Sequence, residues 1–326
     1  MALNLKLSFE GEDLLMYKAS VKVPGSCGEL AQGIINNEDF LITCPIDIYS
    51  QVSVEFDENI KGINVNIDAE KSIEAARILL SYLKMDETGL RIEIKSKLIR
   101  GRGMASSTAD IIGVMSAIIF ALGLSPDIKL MKKIALEIEP TDGIFLPGIY
   151  YFNHITGEKY YSLGQAPEID ILIFSEERTV NTLYFNKMKG LRDKKRQKEA
   201  KVKKAVKLIE KGLKNKDKYL LGKGVTLDSF AHQNIIYRPY LEKLHDIIQN
   251  NSNVYGINIA HSGTLNGLFI EPDYDAKELI KHIEKEIKEI YFLKRASLIK
   301  GGIFRTEGDN HESYSRWGYR GSEEKV

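Results

Sequence analysis

Hydrophobic and polar residues alternate in several short stretches of the first hundred residues. Every second residue is hydrophobic at Leu3, Leu5, Leu7 and Phe9, at Val52, Val54 and Phe56, at Ile63, Val65 and Ile67, and at Leu90, Ile92 and Ile94. A period of two is typical of a strand that buries one face. Over residues 72–84 the spacing becomes helical, with Ile73, Ala76, Leu80 and Leu83 on one face. This part of the chain therefore predicts strands interrupted by a helix.

Two further helices are predicted between residues 105 and 140. Helical spacing resumes at Ala109, Ile112, Gly113, Ser116 and Ile119. The second of these helices is introduced by Ser125 as an N-cap and by Pro126 at the first helical position, where proline is favoured. Because strands and helices are interleaved, we expect an α+β fold whose sheet is covered on one side.

The C-terminal half has its own order of elements after a joint at residues 165–167. Strands are predicted over residues 169–174, 254–260, 267–270 and 291–299, and helices over residues 187–218 and 275–289. This order predicts a small sheet with helices on one face. From Glu307 onward the chain is polar and rich in glycine, which predicts a loose tail that Trp317 or Tyr319 could anchor.

The length of 326 residues predicts two domains or one large one, since a typical domain has about 150 residues. We expect an N-terminal domain over residues 1–167, a C-terminal domain over residues 168–305 and a polar tail over residues 306–326. The composition of 43% hydrophobic and 28% charged residues is ordinary for a globular protein.

The formal net charge of +1 hides an uneven distribution of charge. Residues 187–218 hold 15 Lys and Arg against 4 Asp and Glu, so the remaining chain carries 31 basic and 41 acidic residues. Val202, Val206, Ile209 and Leu213 recur at helical spacing in this basic segment. The segment therefore predicts an amphipathic helix whose lysines face solvent. A role of these lysines in attracting a nucleotide is the alternative.

Cys27 and Cys44 are too few for a disulfide scaffold and lack a metal-binding spacing. We expect Cys27 to be a small loop residue rather than a reactive thiol, because no base is adjacent to it in sequence. The chain shows neither a secretory signal pattern nor an apolar run long enough to span a bilayer. These features predict a cytoplasmic protein that does not cross a membrane.

The most informative motif is the segment at residues 101–110, which reads GRGMASSTAD. It connects a predicted strand to the start of a predicted helix. Unpaired backbone N–H groups and the positive end of the helix dipole at such a junction form an anion site, and phosphate is its usual occupant. An ordinary glycine turn capped by Ser106 or Ser107 is the structural alternative.

This motif lacks the lysine of a P-loop, because Ala105 directly precedes Ser106. The charge of a bound phosphate would therefore be neutralised by other groups. The local candidates are the helix dipole, a divalent metal on a serine hydroxyl, and the side chains of Arg100 and Arg102.

A second motif places two carboxylates at the end of a predicted helix, where Glu139 and Asp142 flank a proline-containing turn. The helix dipole disfavours acidic residues at this end. A bound metal ion, or a proton that must be removed from a substrate, would explain their position. The alternative is that Asp142 only shapes its turn.

Two further loops are rich in glycine and small residues. Residues 23–33, which read VPGSCGELAQG, join an extended stretch to a turn, and residues 260–268 read AHSGTLNGL. Glycine and proline at these positions indicate backbone that lies close to another group. His261 could be a surface residue, and we assign it no role.

In combination, these motifs resemble those of the GHMP kinase superfamily, which includes galactokinase, homoserine kinase and mevalonate kinase. Within it, the L-threonine kinase branch linked to cobalamin synthesis is the most similar. The resemblance rests on residues 24–30, residues 103–111, residues 139–142 and residues 261–264, which read PGSCGEL, GMASSTADI, EPTD and HSGT. It implies an N-terminal domain similar to ribosomal S5 domain 2 and a C-terminal ferredoxin-like domain. The resemblance covers residues 20–300 and leaves out the tail.

The resemblance also implies an activity and its residues. ATP, with Mg²⁺, would phosphorylate the side-chain hydroxyl of L-threonine, and Asp142 would take the hydroxyl proton. Ser107 and Glu139 would hold the metal, with Glu137 as a rival because many relatives have a longer loop before the aspartate. The implied nucleotide-binding residues are Gly101, Gly103, Met104, Ala105, Ser106, Ser107 and Thr108. The implied substrate-binding residues are Ser26, Gly28, Glu29, Ser262 and Gly263.

Other functions remain open from sequence. The same chemistry could act on homoserine, mevalonate or a sugar, since one methylene changes pocket discrimination by only about 1–3 kcal/mol. A non-catalytic RNA-binding protein is a rival of another class, because the segment at residues 187–218 is basic, although it lacks interleaved aromatic residues. A ligand-binding regulator without turnover is a third. We otherwise expect no nucleic-acid or membrane partner, and a homodimer is a further expectation.

Overall fold

The computed structural model describes residues 18–177 and 188–306. The strand predicted at the N-terminus and the tail from Glu307 onward lie outside these described residues. The strands of the described part are β1 (Lys18–Ile35), β2 (Glu38–Phe56), β3 (Ile63–Val65), β4 (Leu90–Ser96), β5 (Ile149–Phe152), β6 (Tyr160–Gly164), β7 (Asp170–Glu176), β8 (Val254–Ile259), β9 (Leu265–Ile270), β10 (Ile290–Ser297) and β11 (Phe304–Arg305).

The helices lie mostly where the hydrophobic spacing predicts them. They are α1 (Glu70–Tyr82), α2 (Ser106–Ala121), α3 (Ile128–Ile138), α4 (Leu191–Gln197), α5 (Glu199–Asn215), α6 (Lys218–His232), α7 (Leu241–Ile248) and α8 (Lys277–Glu286). The N-cap of α3 is Asp127, whose side chain accepts hydrogen bonds from the backbone of Lys129 and Leu130, so the prediction of Ser125 was wrong by two residues.

The described strands form one sheet with the order β10-β7-β9-β8-β1-β2-β4-β3, and β5, β6 and β11 extend it at the side. The C-terminal strands join the N-terminal ones where Glu29 of β1 pairs with Ile259 of β8. They are therefore part of a shared sheet rather than a separate small one. The domain boundary at residue 167 remains a prediction.

Strand β1 differs most from its sequence-based expectation. Residues 23–33 continue the strand instead of ending in a turn, but the pairing of β1 with β2 shifts register at Pro24–Gly25 and twice between Ser26 and Ala31. Such bulges bend a strand and re-aim its side chains. Cys27 lies in this bulged part, is 1% exposed and is not a loop residue. Burial raises the pKa of its thiol.

Helix α2 is buried along most of its length and packs on β1 and β2. Helix α2 approaches β2 closely at Gly113, where a Cβ would lie 2.6 Å from Cγ2 of Val52. This close approach fixes the position of the α2 N-terminus over the middle of the sheet.

The basic segment forms helices α4 and α5, and part of it is buried. Lys201, Lys204, Lys207, Lys211 and Lys214 face solvent as predicted. Lys195 and Lys198 are only 6% and 3% exposed, so the prediction of a solvated face was wrong for these two. Lys195 forms a 2.5 Å ion pair with Asp39 near the start of β2.

No helix in the described part of the chain is both long and apolar enough to cross a membrane.

Replacing Gly113 tests the packing of α2 on β2. Gly113→Ala is expected to lower the free energy of unfolding by about 1–3 kcal/mol, because the new methyl group meets Val52, although alanine favours a helix by about 1 kcal/mol. Val52→Ala is expected to relieve the contact, so the double variant loses less than the two single losses added together. Denaturant unfolding measures the free energy of unfolding of the two single variants and the double variant. Additive losses of this free energy would contradict the close contact.

Candidate active site

The glycine turn leads into α2 through a left-handed residue. Ala105 has a φ of 55° and occupies the N-cap position, where it provides no side-chain hydrogen bond to the helix. Neither Ser106 nor Ser107 is the capping residue, in contrast to the ordinary-turn alternative. The first backbone N–H groups of α2 thus lack a capping side chain and can receive an anion.

Three segments that are far apart in sequence meet at this turn. From one side, β1 contributes the backbone N–H of Ser26, which donates to the Met104 carbonyl at 3.0 Å, and that of Gly28, which donates to Gly103 at 3.4 Å. From the other side, Thr264 donates its backbone N–H to the Arg102 carbonyl at 3.1 Å. We call this arrangement of β1, the glycine turn and the loop at residues 260–264 the backbone clasp.

Glycine is required in this clasp because the three backbones are nearly in contact. A Cβ at Gly103 would lie 2.6 Å from the Cβ of Ala260, and a Cβ at Gly263 would lie 2.2 Å from the Arg102 carbonyl oxygen. Gly28 has a φ of 58°, and its Cβ would lie 2.5 Å from the Ile259 carbonyl oxygen. The glycines of the segments at residues 23–33, 101–110 and 260–268 therefore allow these three backbones to lie close together.

The two carboxylates of the second motif contact the first turn of α2. Ser107 donates its hydroxyl to Glu139 Oε1. Thr108 donates its hydroxyl to Asp142 Oδ2 at 3.4 Å, and the Asp142 N–H is 3.3 Å from the same hydroxyl. Glu137 is exposed on α3. The structure therefore brings Glu139, rather than Glu137, to Ser107.

Lys71 of α1 was missed by the sequence analysis. Its Nζ lies 2.5 Å from Glu139 Oε2, where it neutralises a carboxylate at the unfavourable end of α3. Lys71 is exposed and belongs to an ordinary amphipathic helix, so no local sequence signal distinguishes it.

The pKa of Asp142 is raised to about 7, first by burial and second by the charge of Glu139, while the hydrogen bond from Thr108 lowers it. A carboxyl with this pKa is half ionised near neutral pH. It can therefore accept a proton from a substrate and release it again under ordinary conditions.

Of the substrate-binding residues predicted on β1, Glu29 is close enough to this carboxyl for their charges to interact. Glu29 is 4% exposed, and its pKa is raised well above the usual value by burial and then by the charges of Asp142 and Asp228. Ser26 is 1% exposed and its hydroxyl lies 3.4 Å from the Gly103 carbonyl oxygen. Of the two substrate-binding residues predicted in the loop at residues 260–268, Gly263 is buried in the clasp and Ser262 is partly exposed beside it.

Both arginines near the turn are engaged in structural contacts. Arg100 forms a 3.1 Å ion pair with Asp110. Arg102 donates to the Ser175 hydroxyl at 2.8 Å and to the Glu176 carbonyl on β7. These contacts connect the turn to α2 and to β7. The side chain of Met104 is likewise buried in the turn.

The residues present fit a magnesium ion that shares its coordination with phosphate. Mg²⁺ is typically held by one or two protein oxygens and by phosphate oxygens and waters. Ser107 and Glu139 offer one hydroxyl and one carboxylate in direct contact. In the described part of the chain, no group of three or more His, Cys, Asp or Glu residues could hold a metal by itself.

The chain is similar to known proteins over most of its length. Residues 70–146 match the family model for the GHMP kinases N terminal domain. Two L-threonine kinases are similar over most of their length. That of Salmonella typhimurium is 28% identical over 253 residues, which cover 78% of this chain and 83% of that protein. That of Citrobacter freundii is 27% identical over 269 residues, which cover 81% and 90%.

A solved structure shows the same fold. The homoserine kinase of Cytophaga hutchinsonii superposes with a TM-score of 0.68 at 17% identity, and the match covers 91% of this chain and all of that one. The α+β GHMP kinase fold expected from the motifs is thereby confirmed. Residues 70–146 thus match the GHMP kinase N-terminal domain, and the chain is similar to two L-threonine kinases and has the GHMP kinase fold.

Proposed function

We propose that the protein transfers the γ-phosphoryl group of ATP to the side-chain hydroxyl of L-threonine and so forms O-phospho-L-threonine. The observation that carries this proposal is the first turn of α2, whose Ser107 contacts Glu139 and whose Thr108 contacts Asp142. These two contacts support a role of Ser107 and Glu139 in metal binding and of Asp142 as a base beside one anion site. The acceptor follows from the two L-threonine kinases that resemble the chain.

The α2 N-terminus would bind the phosphates of ATP through backbone N–H groups and the helix dipole. Phosphoryl transfer depends mostly on positioning and on neutralising charge at the transferring group. The backbone clasp provides the positioning, because its hydrogen bonds fix residues 102–104 between β1 and the loop at residues 260–264. Magnesium bound by Ser107 and Glu139 would supply further positive charge.

Asp142 would orient the acceptor hydroxyl and accept its proton. As the hydroxyl oxygen forms a bond to the γ-phosphorus, the bond from that phosphorus to the bridging oxygen breaks and ADP leaves. The proton passes to the Asp142 carboxylate. A positioned general base contributes a factor of about 10²–10⁴ to such a reaction.

Three finer assignments belong to the same proposal. The resemblance to L-threonine kinases supports a role of the product in cobalamin side-chain synthesis. A cytoplasmic location and a homodimer likewise follow from the sequence-based expectations. Restored cobalamin production in a strain that lacks its own L-threonine kinase would test the role in cobalamin synthesis. Cell fractionation would test the location, and light scattering would test the homodimer.

Parallel assays with several acceptors test the activity. Purified protein with Mg·ATP is expected to release ADP faster with L-threonine than with L-serine, homoserine, mevalonate or galactose. A higher kcat/KM with homoserine would transfer the assignment to that alcohol. No stimulation by any acceptor would contradict the kinase proposal, and salt-dependent RNA binding without ADP release would favour the RNA-binding alternative instead.

Asp142→Asn tests the assignment of the base. We expect kcat to fall by about 10²–10⁴ while the affinity for ATP is retained, because the amide cannot accept the proton. Glu137→Gln is a matched control, since it removes an exposed carboxylate from the neighbouring end of α3. An Asp142→Asn variant that folds and keeps the wild-type kcat would exclude Asp142 as the base.

Thr108→Val tests the electrostatic setting of Asp142. The reaction needs ionised Asp142, so activity should rise with pH through a pKa of about 7. The hydrogen bond from Thr108 lowers this pKa, so its removal should move the acidic limb of the kcat profile to higher pH. The activity that the Thr108→Val variant loses at neutral pH should partly return at alkaline pH. A uniform loss at every pH would contradict this role of Thr108.

A further inference from the structure

Buried ionisable groups extend from Asp142 away from the phosphate site. Glu29 is close enough to Asp142 and Asp228 that their charges raise its pKa. Asp228, on α6, in turn faces Lys198, at the junction of α4 and α5. Neither Lys198 nor Asp228 has a part in the phosphoryl transfer described above.

Lys198 is a buried ammonium group with few partners. It is 3% exposed, and its Nζ donates to the Gln32 carbonyl at 2.8 Å and lies 3.2 Å from Nδ1 of His232. Burial lowers the pKa of Lys198 to about 8, and the charge of Asp228 opposes this change. A buried cation destabilises the folded protein unless an anion pairs with it.

Two carboxylates of this buried group carry an oxygen with no hydrogen-bond partner among the residues that the structure describes. They are Glu29 Oε2 and Asp228 Oδ1, and these two residues are 4% and 1% exposed. Buried acceptors are nearly always satisfied, and leaving one unpaired destabilises the fold. Unpaired acceptors next to a reactive carboxyl point to a ligand that brings hydrogen-bond donors.

His261, which is partly exposed, borders this group of charges. Its Nδ1 lies 2.6 Å from Oε1 of Gln32, and its ring packs edge-on against His154 with 5.4 Å between the centroids. The His261 carbonyl oxygen lies 3.1 Å from Nε2 of His232. The backbone clasp is therefore connected to the surroundings of Lys198 through two histidines.

We propose that Lys198 and Asp228, together with Glu29, form the pocket for the charged backbone of an α-amino-acid acceptor. Lys198 binds the α-carboxylate, and Asp228 and Glu29 accept hydrogen bonds from the α-ammonium group. This inference rests on the proposed function and deepens it, because it assigns the groups that select an amino acid over other alcohols.

The positions of these groups suit a β-hydroxy amino acid. In such a molecule the hydroxyl and the ammonium group are on adjacent carbons, so they must be bound by neighbouring side chains. Glu29 is such a neighbour of the base Asp142. The carboxylate then lies on the far side of the ammonium group, toward Lys198. A sugar or mevalonate would leave the carboxylates without an ammonium partner, which disfavours binding.

Two analogues of L-threonine test the pocket by calorimetric binding to the full chain. 1-Amino-2-propanol lacks the carboxylate, and 3-hydroxybutyrate lacks the ammonium group. We expect the wild-type protein to bind L-threonine at least about 30-fold more tightly than either, as is usual when a buried charged partner is lost.

Each substitution should remove one preference only. Lys198→Met is expected to weaken L-threonine binding by at least about 30-fold and to leave 1-amino-2-propanol binding unchanged. Asp228→Asn should weaken L-threonine binding and leave 3-hydroxybutyrate binding unchanged. Lys198→Arg, which retains the positive charge, should restore part of the preference for a carboxylate.

Lys195→Met is the matched control for a buried lysine on the same segment. It breaks the ion pair with Asp39 and should lower thermal stability, but the ratio of L-threonine to 1-amino-2-propanol affinity should stay as in the wild type. A Lys198→Met variant with that same behaviour would show that Lys198 is only structural and would overturn the inference.

Binding and turnover separate this inference from the proposed function. If the wild-type protein binds L-threonine with the expected preferences but releases no ADP, the pocket is supported and the kinase proposal fails. If ADP is released but each variant weakens L-threonine and its analogue by the same factor, the pocket is overturned and the kinase proposal stands. Failure of the wild-type protein to bind any α-amino acid also overturns the pocket.

Discussion

The backbone clasp around residues 102–104 is the constraint on which the rest of the site depends. Hydrogen bonds from Ser26, Gly28 and Thr264 reach three successive carbonyl groups of the turn. Larger side chains do not fit, since a Cβ at Gly103 would overlap the Cβ of Ala260 and a Cβ at Gly263 would overlap the Arg102 carbonyl oxygen. Because the turn is fixed in this way, the N-terminus of α2 is held in a defined position relative to the carboxylates that contact it.

Electrostatics divides the site into two parts. At the α2 N-terminus, positive potential comes from backbone groups and from Lys71 beside Glu139. Deeper in the protein, Glu29 and Asp142 are carboxyls whose pKa values are raised mainly by burial. A phosphate anion and an acceptor with a cationic group would each find complementary charge, and the reacting hydroxyl would lie between them beside Asp142.

Sequence reasoning was accurate where a signal is local. The alternation at residues 90–94 predicted β4, and the Gly-Ser motif predicted the start of α2. It failed where contacts between residues far apart in sequence determine the structure. The bulges of β1 depend on pairing with β2, and the burial of Lys195 depends on its ion pair with Asp39. A helical repeat identifies the face of hydrophobic residues but does not show which lysine beside that face will be covered. The pairing of Lys71 with Glu139 is equally non-local.

A crystal structure with L-threonine and a non-hydrolysable ATP analogue would test the central claim most directly. The account predicts phosphate oxygens at the backbone N–H groups that begin α2, and the threonine hydroxyl within hydrogen-bonding distance of Asp142. It also predicts little movement of residues 102–104 relative to β1. Phosphates bound elsewhere, or a threonine hydroxyl remote from Asp142, would contradict the account.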